Sequence, residues 1–118
     1  MMQGKTHKQH GSAVPHWKWQ RWSAMLTLPL MVYCVYLLGG LVSLDYEAAR
    51  QLIAAPSTAL PLAVLITAGM FHAALGIAVI IEDYVPLARG RNGLILCARI
   101  ALGGIALVSL TALALITF

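Results

Sequence analysis

An all-α membrane protein with three transmembrane helices is the fold class that this sequence predicts, and three observations lead to it. Of 118 residues, 60% are hydrophobic and only 10% are charged, with a mean hydropathy of +0.81. That is more apolar surface than a soluble core of this size can bury. Asp, Glu, Lys and Arg are also absent from residues 22–44, 51–81 and 100–118, which together make up 73 of the 118 residues. Finally, about 20 apolar residues suffice for a helix to cross a hydrocarbon core of about 30 Å, whereas strands in lipid need a closed barrel of at least about eight. A soluble enzyme is excluded on these grounds, as is an extramembranous domain able to hold a flavin or nucleotide. Two cysteines are too few for an iron–sulfur cluster, which takes about four. The chain's partner is lipid, not nucleic acid.

The first helix is expected over about 22–44. Pro29 removes its hydrogen bond to the Met25 carbonyl and bends it, a defect tolerated where neighbouring helices cover it. Gly39 and Gly40 weaken its far end. The second window is too long for one crossing, and Pro56 and Pro61 divide it. Ser57 or Thr58 suits an N-cap, which puts Pro61 in the first turn, where a missing N–H costs nothing. The second helix therefore runs over about 58–84 and stops at Val85, because Pro86 disfavours helical geometry there. A third helix spans about 93–118, with Arg99 near its start, able to snorkel to the headgroups.

Orientation follows from the basic residues beside each span. Lys5, Lys8, Lys18 and Arg21 precede the first helix, Arg50 lies between the first and second, and Arg89 and Arg91 lie between the second and third. Residues 1–21 are thus read as a cytoplasmic N-terminal tail and residues 22–118 as the three-helix membrane domain. Trp17, Trp19 and Trp22 mark an aromatic belt at the entry to the first helix. The first apolar run exceeds the about 7–15 residues of a signal-peptide core, and no small-residue cleavage motif follows it.

His72 is the ionisable side chain well inside a span, near mid-bilayer. Such residues are costly and usually functional; the alternative is a neutral imidazole bonded to a neighbouring helix. Ala68, Gly69 and Gly76 lie at i−4, i−3 and i+4, which leaves the helix face around the ring nearly bare. That face either admits a flat ligand, as in haem with imidazole ligation, or lets a second helix approach. Asp83 falls on the same stripe, about 16 Å further on. Next to it, the Tyr84 phenol can donate to a carbonyl oxygen such as that of a quinone. The alternative for the pair is a polar helix end with an aromatic anchor.

Electron-transfer haem takes two axial ligands. Met25, Met31 and Met70 are possible internal donors, although methionines in apolar helices usually pack. A second polypeptide or a symmetric copy is the simpler source. His16, Lys18 and Arg21 offer cations to haem propionates or to lipid phosphates. His7 and His10 form a weak metal-chelating pair at most. Cys34 and Cys97 sit at different depths and are read as packing residues, not a disulfide.

Two segments resemble the hydrophobic membrane-anchor subunits of succinate dehydrogenase. His72-Ala-Ala-Leu-Gly76 running through Ile80-Ile81-Glu82-Asp83-Tyr84-Val85 is similar to the family's signature at the end of its second helix. Arg21-Trp22-Ser23-Ala24 followed by Pro29-Leu30 is similar to the opening of its first helix. The third helix matches only as an apolar span. One departure stands out: family members often follow the Asp-Tyr pair with further polar residues, whereas here Val85-Pro86-Leu87 ends the helix.

The resemblance implies a non-catalytic electron-transfer anchor in a multi-pass topology in the bacterial inner membrane, forming a helical bundle with a second anchor subunit, a cytochrome b. His72 would be one axial ligand of a shared b-type haem, with Arg21 and His16 near its propionates. Tyr84 and Asp83 would bind ubiquinone. Electrons would arrive from a flavoprotein subunit through an iron–sulfur subunit. The rivals are an anchor working in the fumarate-reducing direction, a cofactor-free structural or assembly protein, and a homodimeric b-type cytochrome.

Overall fold

The computed structural model describes residues 13–86 and 88–118, with side chains from Trp17 onward except that of Ala88. Among the described residues four helices follow one another: α1 (Ala13–Leu41), α2 (Tyr46–Ala54), α3 (Pro56–Tyr84) and α4 (Ala88–Thr117). The described residues contain no strand. Three apolar segments, Trp17–Leu41, Pro56–Tyr84 and Arg89–Thr117, are long enough to span a membrane.

Each span departs from the boundaries expected from charge-free windows. The first helix begins at Ala13 rather than 22 and ends at Leu41 rather than 44. Its first turns carry Lys18 and Arg21, because a helix does not stop where lipid does. It also continues unbroken through Pro29.

The second span starts at Pro56, and its cap is Ala55, not Ser57 or Thr58. The cause is local. Ala55 precedes a proline and is held extended (φ −60°, ψ 133°), while Pro56 supplies a first helical residue that needs no N–H partner. The Ala55 carbonyl accepts from Thr58 N at 2.9 Å and Ala59 N at 2.8 Å. Pro61 consequently falls past the first turn and removes a bond to Ser57 O. At the other end, α3 stops at Tyr84 as expected, with Val85 N donating to Ile81 O at 2.9 Å. The third span begins at Ala88, five residues before the expected 93, so Arg99 lies three turns inside it rather than near its start.

The unexpected element is α2. Asp45 caps it by accepting from Ala48 N at 2.8 Å, and Glu47 lies in its first turn, where the helix dipole favours an anion. Arg50 and Gln51 reach back toward Glu47, at 4.0 and 3.3 Å. These exposed contacts contribute at most about 1 kcal/mol each. α2 packs on α3 and α4.

α3 is the central helix, with α1 and α4 both packed along it. Little is enclosed: Leu37, Ala59 and Ala78 are the buried apolar residues and Ser23 and Thr58 the buried polar ones. In water such a chain would not hold together. In lipid, exposed Leu, Val and Ile are ordinary, and helices associate through close packing and interhelical polar contacts.

Candidate functional site

On α1, Gln20, Ser23 and Thr27 recur at i, i+3 and i+7, which places them on one face. On α3, Gly69, His72 and Gly76 do the same. The two stripes meet in antiparallel register. Gln20 Nε2 lies 3.6 Å from the place of a Cβ on Gly76, Thr27 Cγ2 lies 4.0 Å from that on Gly69, and between them Ser23 Oγ lies 2.9 Å from His72 Nδ1. Ser23 Oγ also donates to Gln20 O at 3.0 Å.

This register settles what the small residues around His72 do within the chain. Gly69 and Gly76 face α1 and let it approach. Ala68 has a different place, with Ser23 in the wall of an open groove of about 560 Å³ between α1 and α3. Trp19, Trp22, Met25 and Leu26 of α1 line the rest with Phe71 of α3, and its walls are almost wholly apolar. Trp19 and Phe71 meet edge to face, centroids 6.2 Å apart at 87°, which adds about 1 kcal/mol to the α1–α3 contact.

Among the described residues, nothing hydrogen-bonds His72 Nε2, and this atom is not one of the enclosed polar atoms lacking a partner. Those are Gln20 Oε1 and Thr27 Oγ1, one turn to either side of Ser23. His72 is half-buried. The described residues hold no cluster of three or more His, Cys, Asp or Glu side chains. His72 is the one histidine whose side chain is described, so a second imidazole for an iron held there would come from outside the described residues.

The other expected site residues lie apart. Arg21 is exposed and stacks its guanidinium over Trp17, 4.7 Å from the ring centroid. The His16 side chain, His7 and His10 lie outside the described residues. Asp83 and Tyr84 are both exposed, and Tyr84 is 81% accessible at the last position of α3. They share no hydrogen bond among the described residues, because side chains at i and i+1 leave a helix about 100° apart. By register, Tyr84 stands about 8 Å beyond the level of Trp17. Cys34 and Cys97 are free thiols. Neither the polar stripe on α1 nor the role of Ser23 emerged from composition, although the 20/23/27 spacing inside an apolar helix was the available signal.

Comparison with known proteins adds the lineage. The family described as succinate dehydrogenase/fumarate reductase transmembrane subunit matches residues 4–111. A hydrophobic membrane anchor subunit of succinate dehydrogenase from Rickettsia bellii (strain RML369-C) is 27% identical over 85 residues, covering 72% of this chain and 68% of the relative. No solved structure matches the chain. With three apolar spans and a match over most of its length, this chain belongs to the succinate dehydrogenase/fumarate reductase transmembrane subunit family.

Proposed function

We propose that the chain is the small membrane anchor of a succinate:ubiquinone oxidoreductase in the bacterial inner membrane, and that His72 is one axial ligand of a b-type haem shared with a second anchor subunit. The observation that carries this reading is a mid-span imidazole tied at Nδ1 to Ser23, with no described group on Nε2. The apolar groove that Ser23 lines agrees with a hydrophobic cofactor, and the absence of a second histidine among the described side chains agrees with a ligand from the companion subunit. A haem bound there would supply one-electron transfer.

The chain's own residues would do the rest. His72 would hold the iron through Nε2, and Arg21, with His16, would neutralise propionates at the end of α1. Tyr84, at the aqueous end of α3, would donate its O–H to a ubiquinone carbonyl, with Asp83 beside it supplying protons from the cytoplasm. The exposed faces of the spans would seat the companion anchor, and the cytoplasmic ends of α1 and α3 would receive the iron–sulfur subunit and, through it, the flavoprotein. Succinate oxidation would occur on that flavoprotein, so this subunit is not itself the catalyst.

A second reading has one specific observation behind it: the Ser23–His72 contact is also what an interhelical bond in a cofactor-free scaffold would look like. A dithionite-reduced spectrum of the complex purified with its partners separates the two. The axial-ligand reading requires b-type bands that His72→Gln abolishes; bands that survive the substitution overturn it.

A further inference from the structure

We propose that Ser23 is the positioning residue for the His72 ligand: by accepting a hydrogen bond from Nδ1–H, it fixes the imidazole in the tautomer whose Nε2 carries the lone pair. The proposal rests on the axial-ligand reading of His72. Its basis is the sharing of one hydroxyl between two contacts, 3.0 Å to Gln20 O and 2.9 Å to His72 Nδ1. A carbonyl oxygen only accepts, and a serine has one proton to give. With both bonds made, that proton goes to Gln20, so the proton in the second bond must be on Nδ1. A neutral ring protonated at Nδ1 has its lone pair at Nε2, the nitrogen that no described group occupies.

Ser23 has the surroundings for this role. It is buried between α1 and α3 at 7% exposure, so water does not compete for the bond. Its neighbours on the stripe, Gln20 Oε1 and Thr27 Oγ1, are enclosed without partners among the described residues, so they do not take its place. A hydrogen bond at the far nitrogen of a ligating histidine holds the ring plane and raises the basicity of the bound nitrogen. A more basic ligand favours ferric iron and lowers the potential of the centre.

The test uses the whole complex purified from membranes, with Ser23→Ala and Ser23→Thr. In Ser23→Ala the haem potential should rise, the low-spin EPR signal should shift, and haem transfer to apomyoglobin should quicken about tenfold, the lower end of the effect of such outer partners on metal affinity. Ser23→Thr, which keeps the hydroxyl, should restore all three. Wild-type values in Ser23→Ala would overturn the role of Ser23 while leaving His72 as ligand. A wild-type complex without b-type haem would instead overturn the axial-ligand reading. The tautomer is decided without haem, by ¹⁵N spectra of the full histidine-labelled chain in bilayers, with the His72 signals identified by their loss in His72→Gln. A protonated Nδ1 and bare Nε2 support the proposal, and a protonated Nε2 overturns it.

Discussion

Gly76 on α3 faces Gln20 on α1 so closely that a Cβ there would stand 3.6 Å from Gln20 Nε2, and Gly69 faces Thr27 at 4.0 Å one turn to the other side of His72. Both distances are ordinary van der Waals contact, so a methyl group fits and a larger side chain does not. Alanine is also the better helix former by about 1 kcal/mol. Gly69→Ala and Gly76→Ala should therefore leave thermal stability of the detergent-solubilised complex unchanged or slightly raised. Gly69→Leu and Gly76→Leu should lower it, since overpacking costs about 1–3 kcal/mol, and should part Ser23 from His72. Equal loss of stability in the alanine and leucine variants would contradict this packing.

The difference between composition and register explains what was legible in the sequence. Charge-free windows revealed three spans, and Pro86 placed the end of α3 at Tyr84, because lipid and proline act locally. The starts were missed for an equally local reason. α1 and α4 carry Lys18, Arg21, Arg89 and Arg91 within their helical ends, and a charge-based boundary stops short of them. α2 was hidden because its polar half broke one window and its apolar half, residues 51–54, was counted with the next. The two alternatives for Gly69 and Gly76 could not be separated by spacing, since both need small residues at i−3 and i+4 of His72. Only the pairing of Gln20 with Gly76 and Thr27 with Gly69 decides between them, and that pairing depends on how two helices slide past each other.

Asp45 gives a prediction about the connecting helix alone. Its carboxylate closes the first turn of α2 through one 2.8 Å bond, and loss of such a cap costs about 1 kcal/mol. Asp45→Ala should speed amide hydrogen exchange across Tyr46–Ala54 about fivefold and leave exchange in α3 unchanged. Uniform change across both helices would mean that α2 is not a separate unit.

Tyr84 offers its phenol at the end of α3, where no described residue hydrogen-bonds it. One hydrogen bond contributes about 0.5–1.5 kcal/mol, so Tyr84→Phe should slow quinone reduction by about 2- to 13-fold. Succinate oxidation with an artificial acceptor should persist, because it bypasses the membrane site. Parallel loss of both activities would assign Tyr84 a structural part instead.

Topology is the condition on which the proposed quinone site depends, since Tyr84 must share a side of the membrane with the soluble subunits. The excess of Lys and Arg at the N-terminus and at the start of α4 predicts that both face the cytoplasm, with the α1–α2 connection outside. Ser43 lies in that connection and Asn92 near the start of α4, and both are exposed. In a background with Cys34 and Cys97 replaced by alanine, Ser43→Cys should react with a membrane-impermeant maleimide added to spheroplasts. Asn92→Cys should react only after lysis. The reverse pattern would put Asp83 and Tyr84 on the outer face, away from any cytoplasmic dehydrogenase, and the quinone assignment would fall with it.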